Sequence, residues 1–100
     1  MEHPADELSV LDYVRLMKEF LDGRIDAWQC SSGYFEIATK RVVIPNAEVD
    51  KITQRAYGDA DDYEPDPNLR KENPSWIGEA ELKEKVAKSL RELEALGYSL

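Results

Sequence analysis

The sequence predicts an all-α protein: an antiparallel four-helix bundle with a long acidic loop between its third and fourth helices. Apolar residues recur at three- and four-residue spacing in four separate stretches. Capping residues open those stretches, and Gly or Pro closes them. The one β-branched run, Val42-Val43-Ile44, has no second strand-like run to pair with.

Residues 1–8 (MEHPADEL) read as a flexible leader, and residues 9–100 as a single helical domain. Ser9 followed by Asp12 resembles a capping box with the shorter acid in the place of Glu or Gln. Val10, Tyr13, Val14, Met17, Phe20 and Leu21 then form one stripe, with Arg15, Lys18 and Glu19 opposite. Gly23 follows as a left-handed C-terminal cap, which places the first helix at roughly 9–22.

Asp26 is the expected N-cap of a second helix running to about Val42. Its stripe is Ala27, Cys30, Tyr34, Ile37, Ala38 and Arg41, widened by Trp28, Phe35 and Val42. Gly33 in mid-helix costs up to about 1 kcal/mol relative to alanine. Val42-Val43-Ile44 is read as the end of this helix, stopped by Pro45. Asn46 caps a third helix with Val49, Ile52, Ala56, Tyr57 and Ala60 inward, so Tyr57 is expected within the bundle.

From Gly58 the composition changes to GDADDYEPDPNLRKENPSWIG, with Pro65, Pro67 and Pro74 and no helical stripe beyond Tyr63. A connection of this length in a compact domain is usually functional or mobile. Trp76 is expected to pin it to the core. A fourth helix follows Gly78, with Leu82, Val86, Leu90, Leu93 and Leu96 as its seam. Glu81–Lys85 and Glu84–Lys88 support it as (i, i+4) pairs, and Gly97 closes it.

One hundred residues hold one core, and a chain of this length buries roughly 60–65 % of its unfolded surface. With 42 % hydrophobic residues, global disorder is not expected. Twenty-one acids against thirteen bases give a net charge of −8, which repels nucleic acid and anionic membranes and draws in basic proteins. Cys30 is the only cysteine, so a reducing compartment is expected. Glu2, Asp6 and Glu7 stand where a signal peptide needs a basic start, and no apolar run reaches membrane-spanning length. The expected location is cytoplasmic.

Catalytic chemistry is scarce. His3 is the single histidine and lies in the leader, and Cys30 falls on the inner face of the second helix, where a thiol acts as a small hydrophobe. There is no phosphate-binding glycine loop, CxxC, HExxH or GxSxG. The stretch from Asp59 opens like a calcium loop but puts Glu64 where glycine is required and Arg70 where the bidentate glutamate belongs. Asn73-Pro74-Ser75 is barred from glycosylation by its proline. No catalytic residue, cofactor or metal site is assigned, and the chain is not expected to be an enzyme.

Asp59, Asp61, Asp62, Glu64 and Asp66 place five acids in eight consecutive positions without a base. They straddle the end of the third helix, where carboxylates meet the negative end of the helix dipole. A sequence chosen only for stability would prefer lysine there, so the cluster marks a binding surface. Tyr63 in its midst is of the type enriched among interface anchors. The predicted partner-binding set is therefore Asp59, Asp61, Asp62, Tyr63, Glu64 and Asp66. A basic nuclease fits it, because a row of carboxylates can occupy a groove built for phosphates.

The order of pieces also resembles the bacterial self-protective colicin-like immunity family, the group that includes the colicin D immunity protein. The resemblance rests on FLDGRIDAWQ (Phe20 to Gln29), YFEIATK (Tyr34 to Lys40), DADDYEPDPNLR (Asp59 to Arg70) and IGEAELKEKV (Ile77 to Val86). It spans roughly residues 10–95, and its most particular part is the acidic Y-x-P-D-P-x-L-R segment. Gly33 and Val42-Val43-Ile44 depart from the family's pattern.

The resemblance implies a four-helix fold and a cytosolic antitoxin. Its toxins would typically be tRNA-cleaving nucleases, covered by acidic residues that stand in for RNA phosphates. The expected partner is thus a cognate toxin with a basic nuclease domain, bound by a monomer in a 1:1 complex, with no direct contact to nucleic acid or membrane. The alternative is a helical adaptor or homodimer that uses an apolar groove around Trp28, Phe35 and Trp76.

Overall fold

Four long helices form where the apolar spacing places them, in a computed structural model that describes residues 5–39 and 46–99, with side chains in the first helix described from Val10 onwards. They are α1 (Ala5–Leu21), α2 (Ala27–Thr39), α3 (Ala47–Asp61) and α5 (Glu79–Ala95), with a one-turn helix α4 (Pro67–Arg70) inside the long connection.

The caps explain the boundaries. Gly23 has φ 78° and Gly97 φ 99°, the left-handed conformation that glycine adopts without a Cβ clash. At each, two backbone bonds close a Schellman turn: Arg24 N–H to the Glu19 carbonyl at 2.9 Å, and Tyr98 N–H to the Leu93 carbonyl at 3.1 Å, with their 3.1 and 3.0 Å companions from Gly23 and Gly97. Asp26 and Gln29 form a reciprocal capping box, each backbone N–H donating to the other's side chain at 3.0 and 2.7 Å. Asn46 accepts from the N–H groups of Glu48 and Val49.

One expectation about boundaries changes. α1 begins at Ala5, inside the stretch assigned to the leader, so Ser9 lies within the helix instead of capping it. The continuation of α2 to Val42, with Arg41 and the Val42-Val43-Ile44 run, lies outside the described residues.

Helix α1 packs on α2 and α5, and α3 packs on the same two from the other side. Val10, Val14, Met17, Phe20, Cys30, Tyr34, Val49, Ala56, Leu82, Val86 and Leu93 fill the space between them. Gly33 has its reason here. A Cβ at this position would stand 2.7 Å from the Leu16 side chain, so the mid-helix glycine lets α1 and α2 approach closely. Between α1 and α2 the Tyr13 and Tyr34 rings meet, centroids 5.6 Å apart, and between α2 and α3 Phe35 meets Tyr57. In α3–α5 the pairs Asp59–Lys85 and Arg55–Glu92 run in opposite directions along the two helices.

The connection from Asp62 to Gly78 is tied to itself. Ile77 N–H donates to the Asp62 carbonyl and Glu64 N–H to the Ile77 carbonyl, both at 2.9 Å, so Tyr63 and Ile77 form a single parallel bridge. Ile77, 6 % exposed, is the residue that pins the segment to the core, whereas Trp76 is only half-buried. The backbone pairing turns Ile77 inward, and Trp76, one residue earlier, is left at the margin. Asp66 caps α4 through Asn68 N–H at 2.8 Å, with Pro67 at the first helical position, where its missing N–H costs nothing.

Arg70 at the end of α4 reaches back and donates to the Glu64 carbonyl at 2.7 Å. Its guanidinium lies against Gly78, where any Cβ would come within 2.9 Å of it. This charged donor is the side-chain latch of the segment. Replacing it in Arg70→Ala should cost about 1.5 kcal/mol, the scale for a hydrogen bond to a charged group. For a domain this size that is a fall of about 6–12 °C in Tm. The Glu64 and Ile77 amide hydrogens should exchange faster in the variant. Unchanged exchange at both would show that the latch does not hold the loop.

Candidate functional site

Antiparallel packing brings the C-terminal ends of α1 and α3 and the N-terminal ends of α2 and α5 to one end of the bundle. Acidic residues occur in each segment that meets there: Asp22 and Asp26 in the turn between α1 and α2, Asp61 at the end of α3 with Asp62, Glu64 and Asp66 after it, and Glu79 at the start of α5. Tyr63 reports their closeness. Burial pushes its phenol above the usual range, the carboxylates of Glu79, Asp26 and Glu64 add to the shift, and Arg70 opposes it. Among bases at this end, Arg70 is engaged with the Glu64 carbonyl and Lys83 stands 3.7 Å from Glu79. Arg24 and Lys71 are exposed in the flanking turns.

The predicted site residues do not share one environment. Asp61 is exposed at the last turn of α3. Asp62 is half-buried, with its backbone carbonyl in the bridge to Ile77. Glu64 is half-buried and steadies the turn by accepting from Asp66 N–H at 3.2 Å. Asp66 is exposed, and one of its oxygens is committed to the α4 cap. Tyr63 packs partly onto the core and so serves as the footing of the acidic row.

Asp59 stands apart from the other five. It turns toward α5, 3.9 Å from Lys85, with Arg55 and Lys88 lining the same cleft. Burial raises its carboxyl above the usual range, against the pull of Lys85 and Arg55. Counting acids along the chain cannot separate Asp59 from Asp61, but helical geometry can, since two residues apart in a helix lie about 200° apart around its axis.

Sequence reasoning missed two features. The sequence reading gives Asp26 only as a cap and does not single out Glu79, although the antiparallel order it expects places both beside the acidic loop. Tyr57, expected inside the bundle, is 42 % exposed and meets Phe35 edge-on, ring centroids 5.2 Å apart and planes at 70°. The inner face of α3 is taken up by Val49, Ile52, Thr53, Ala56 and Ala60, which leaves Tyr57 on its shoulder. Trp28, on the outer face of α2, is 67 % exposed.

The arrangement offers little covalent chemistry. Cys30 is fully buried, and burial pushes its thiol up to about 12, far from the reactive range. Among the described residues no cluster of His, Cys, Asp or Glu is placed to hold a metal, and no helix is long and apolar enough to cross a membrane.

The raised carboxyl of Asp59 has a testable consequence. Because its folded pKa lies above the unfolded one, its stabilising contribution is complete below the unfolded pKa and is lost as pH rises through the folded pKa. Asp59→Asn should therefore have a higher Tm than the parent at pH 7, with the difference shrinking toward pH 4. Thermal melts of both proteins across that range check this. If the parent becomes the more stable one as pH rises, the Lys85 pair outweighs the cost of burial.

No curated protein and no solved structure matches this sequence. Residues 8–93, however, match the family described as bacterial self-protective colicin-like immunity, and the chain thus belongs to a family of immunity proteins that neutralise a cognate toxin.

Proposed function

We propose that this immunity protein neutralises a toxin with a basic nuclease active site, of the RNA-cleaving (tRNA-cleaving) type, by covering that site with the acidic end of its bundle. The observation that carries the reading is the convergence of carboxylates from three segments around Tyr63, on a chain of net charge −8. A groove that binds a polyanion presents cations at phosphate spacing, and carboxylates fixed on an ordered loop can occupy it and exclude the substrate. The contact set is Asp61, Asp62, Tyr63, Glu64 and Asp66, joined by Asp26 and Glu79. Asp59 lies behind this face, turned to α5.

Acid placement also sets the kinetics. Charges at the rim of an interface speed encounter, and salt screens them, since the Debye length is about 8 Å at physiological ionic strength. The protein is proposed to act in the cytoplasm as a monomer in a 1:1 complex, the arrangement suited to a bacterium shielding itself from its own toxin.

The test is the isosteric triple variant Asp61→Asn, Asp62→Asn, Glu64→Gln, which removes three charges and keeps the turn's hydrogen-bond acceptors. Against the toxin domain encoded beside the gene for this chain, association should slow by at least about tenfold at low salt. The gap should narrow as salt rises, and helicity should be unchanged. Protection of cells expressing the toxin should fall, while Asp59→Asn should retain it. A triple variant that associates at the parent rate and protects fully would overturn the acidic-face reading.

A further inference from the structure

The acidic face alone is small beside a standard interface, which takes about 20–30 residues a side. A stable complex therefore needs adjoining surface, and the fold offers one. Phe35 and Trp28 lie seven residues apart on α2, which places them in line on one face about 10 Å apart along the axis. Phe35 meets Tyr57 edge-on, so the two rings bridge the α2–α3 seam and leave Tyr57 substantially in water. One turn beyond Tyr57 on the exposed side of α3 is Asp61. Trp28 follows the Asp26 cap by two residues, and Asp26 is close enough to Tyr63 to act on its phenol. The aromatic seam thus runs directly into the acidic end.

Charge around the rings points to the occupant. The described helix α2 carries no basic residue from Ala27 to Thr39. Arg55, the nearest base before Tyr57 on α3, is turned to Glu92 and Ser89 of α5. Among the described residues no cation lies over these three rings, and carboxylates border them. Aromatic faces attract guanidinium groups, Trp most strongly, and Arg stacks on them better than Lys. A second copy of the chain is the poorer fit, because two such surfaces bring net charges of −8 together.

We propose that the Trp28–Phe35–Tyr57 seam is an anchor for arginine side chains on the toxin, contiguous with the acidic face and distinct from it in role. The acids set the rate of encounter, and the rings hold the docked partner. This inference rests on the toxin-binding reading above.

Two measurements test it. Surface plasmon resonance against the neighbouring-gene toxin domain, at low and high salt, compares Trp28→Ala and Tyr57→Ala with the acidic triple variant. Both ring variants should dissociate at least tenfold faster, with the salt dependence of association unchanged. Parent-like dissociation in Trp28→Ala, beside slowed association in the acidic triple, overturns the anchor and leaves the acidic-face reading standing. Faster dissociation in Trp28→Ala beside a parent-like acidic triple does the reverse. Analytical ultracentrifugation guards against self-association: a salt-indifferent dimer that Trp28→Ala converts to monomer overturns the proposal in favour of a second copy. In a Trp76→Phe background, where Trp28 is the sole tryptophan, hexa-arginine should quench its emission at lower concentration than hexalysine. Equal quenching overturns the assignment to arginine.

Discussion

The acidic end of this molecule depends on a backbone constraint: the two hydrogen bonds between Ile77 and the Asp62–Glu64 stretch. Carboxylates packed this densely repel one another, and on a free loop they would spread into solvent. Closing the segment through Ile77 fixes where it starts and ends. Burying Ile77 against the helices fixes its position on the bundle. Arg70 then supplies the one cation the segment needs and spends it on a carbonyl, not on a carboxylate. That choice leaves the acids unneutralised while the loop is still held.

The bundle tolerates this because its own stability is drawn from elsewhere. The core is a continuous apolar cluster from all four long helices, and the α5 surface is stitched to α3 by Arg55–Glu92 and to α1 by Lys18–Glu94. These pairs are exposed, so each contributes little alone. Their positions are more informative than their strength. Arg55 of α3 and Lys85 of α5 are used between these two helices, and at the acidic end Lys83 pairs with Glu79 within α5. Asp59 marks the boundary: it belongs to the acidic run in sequence and to the α3–α5 seam in space.

Much of this was legible in the chain. Helical spacing and the cap residues Gly23, Asp26, Asn46 and Gly97 place the long helices, because those signals are local and the packing agrees with them. The start of α1 was missed since Ser9 offers a plausible cap, and the preceding acidic residues continue the helix past it. The order within the connection was hidden for another reason. A single bridge between Tyr63 and Ile77 leaves no alternating pattern, and a one-turn helix flanked by prolines has no stripe to read. The acidic run itself was plain, but which of its acids face outward depends on rotation about α3. Trp28 and Phe35 were read as a widening of the inner stripe, since a lone apolar residue on a helix shoulder is indistinguishable from the edge of the core until the neighbouring helix is placed.

In the proposed reading, acids and rings side by side answer two separate physical demands on an immunity protein. A toxin released inside the cell must be met before it finds its substrate, and long-range attraction acts on that step, weakening as salt rises. Once met, it must not be released, and residence depends on short-range contacts that salt hardly touches. Carboxylates alone satisfy the first demand poorly matched to the second, because exposed ion pairs are worth little. Aromatic faces alone would hold without steering. The fold joins the two surfaces by the simplest route available, since the cap that starts α2 lies beside the acidic loop and the same helix carries Trp28 two residues further on.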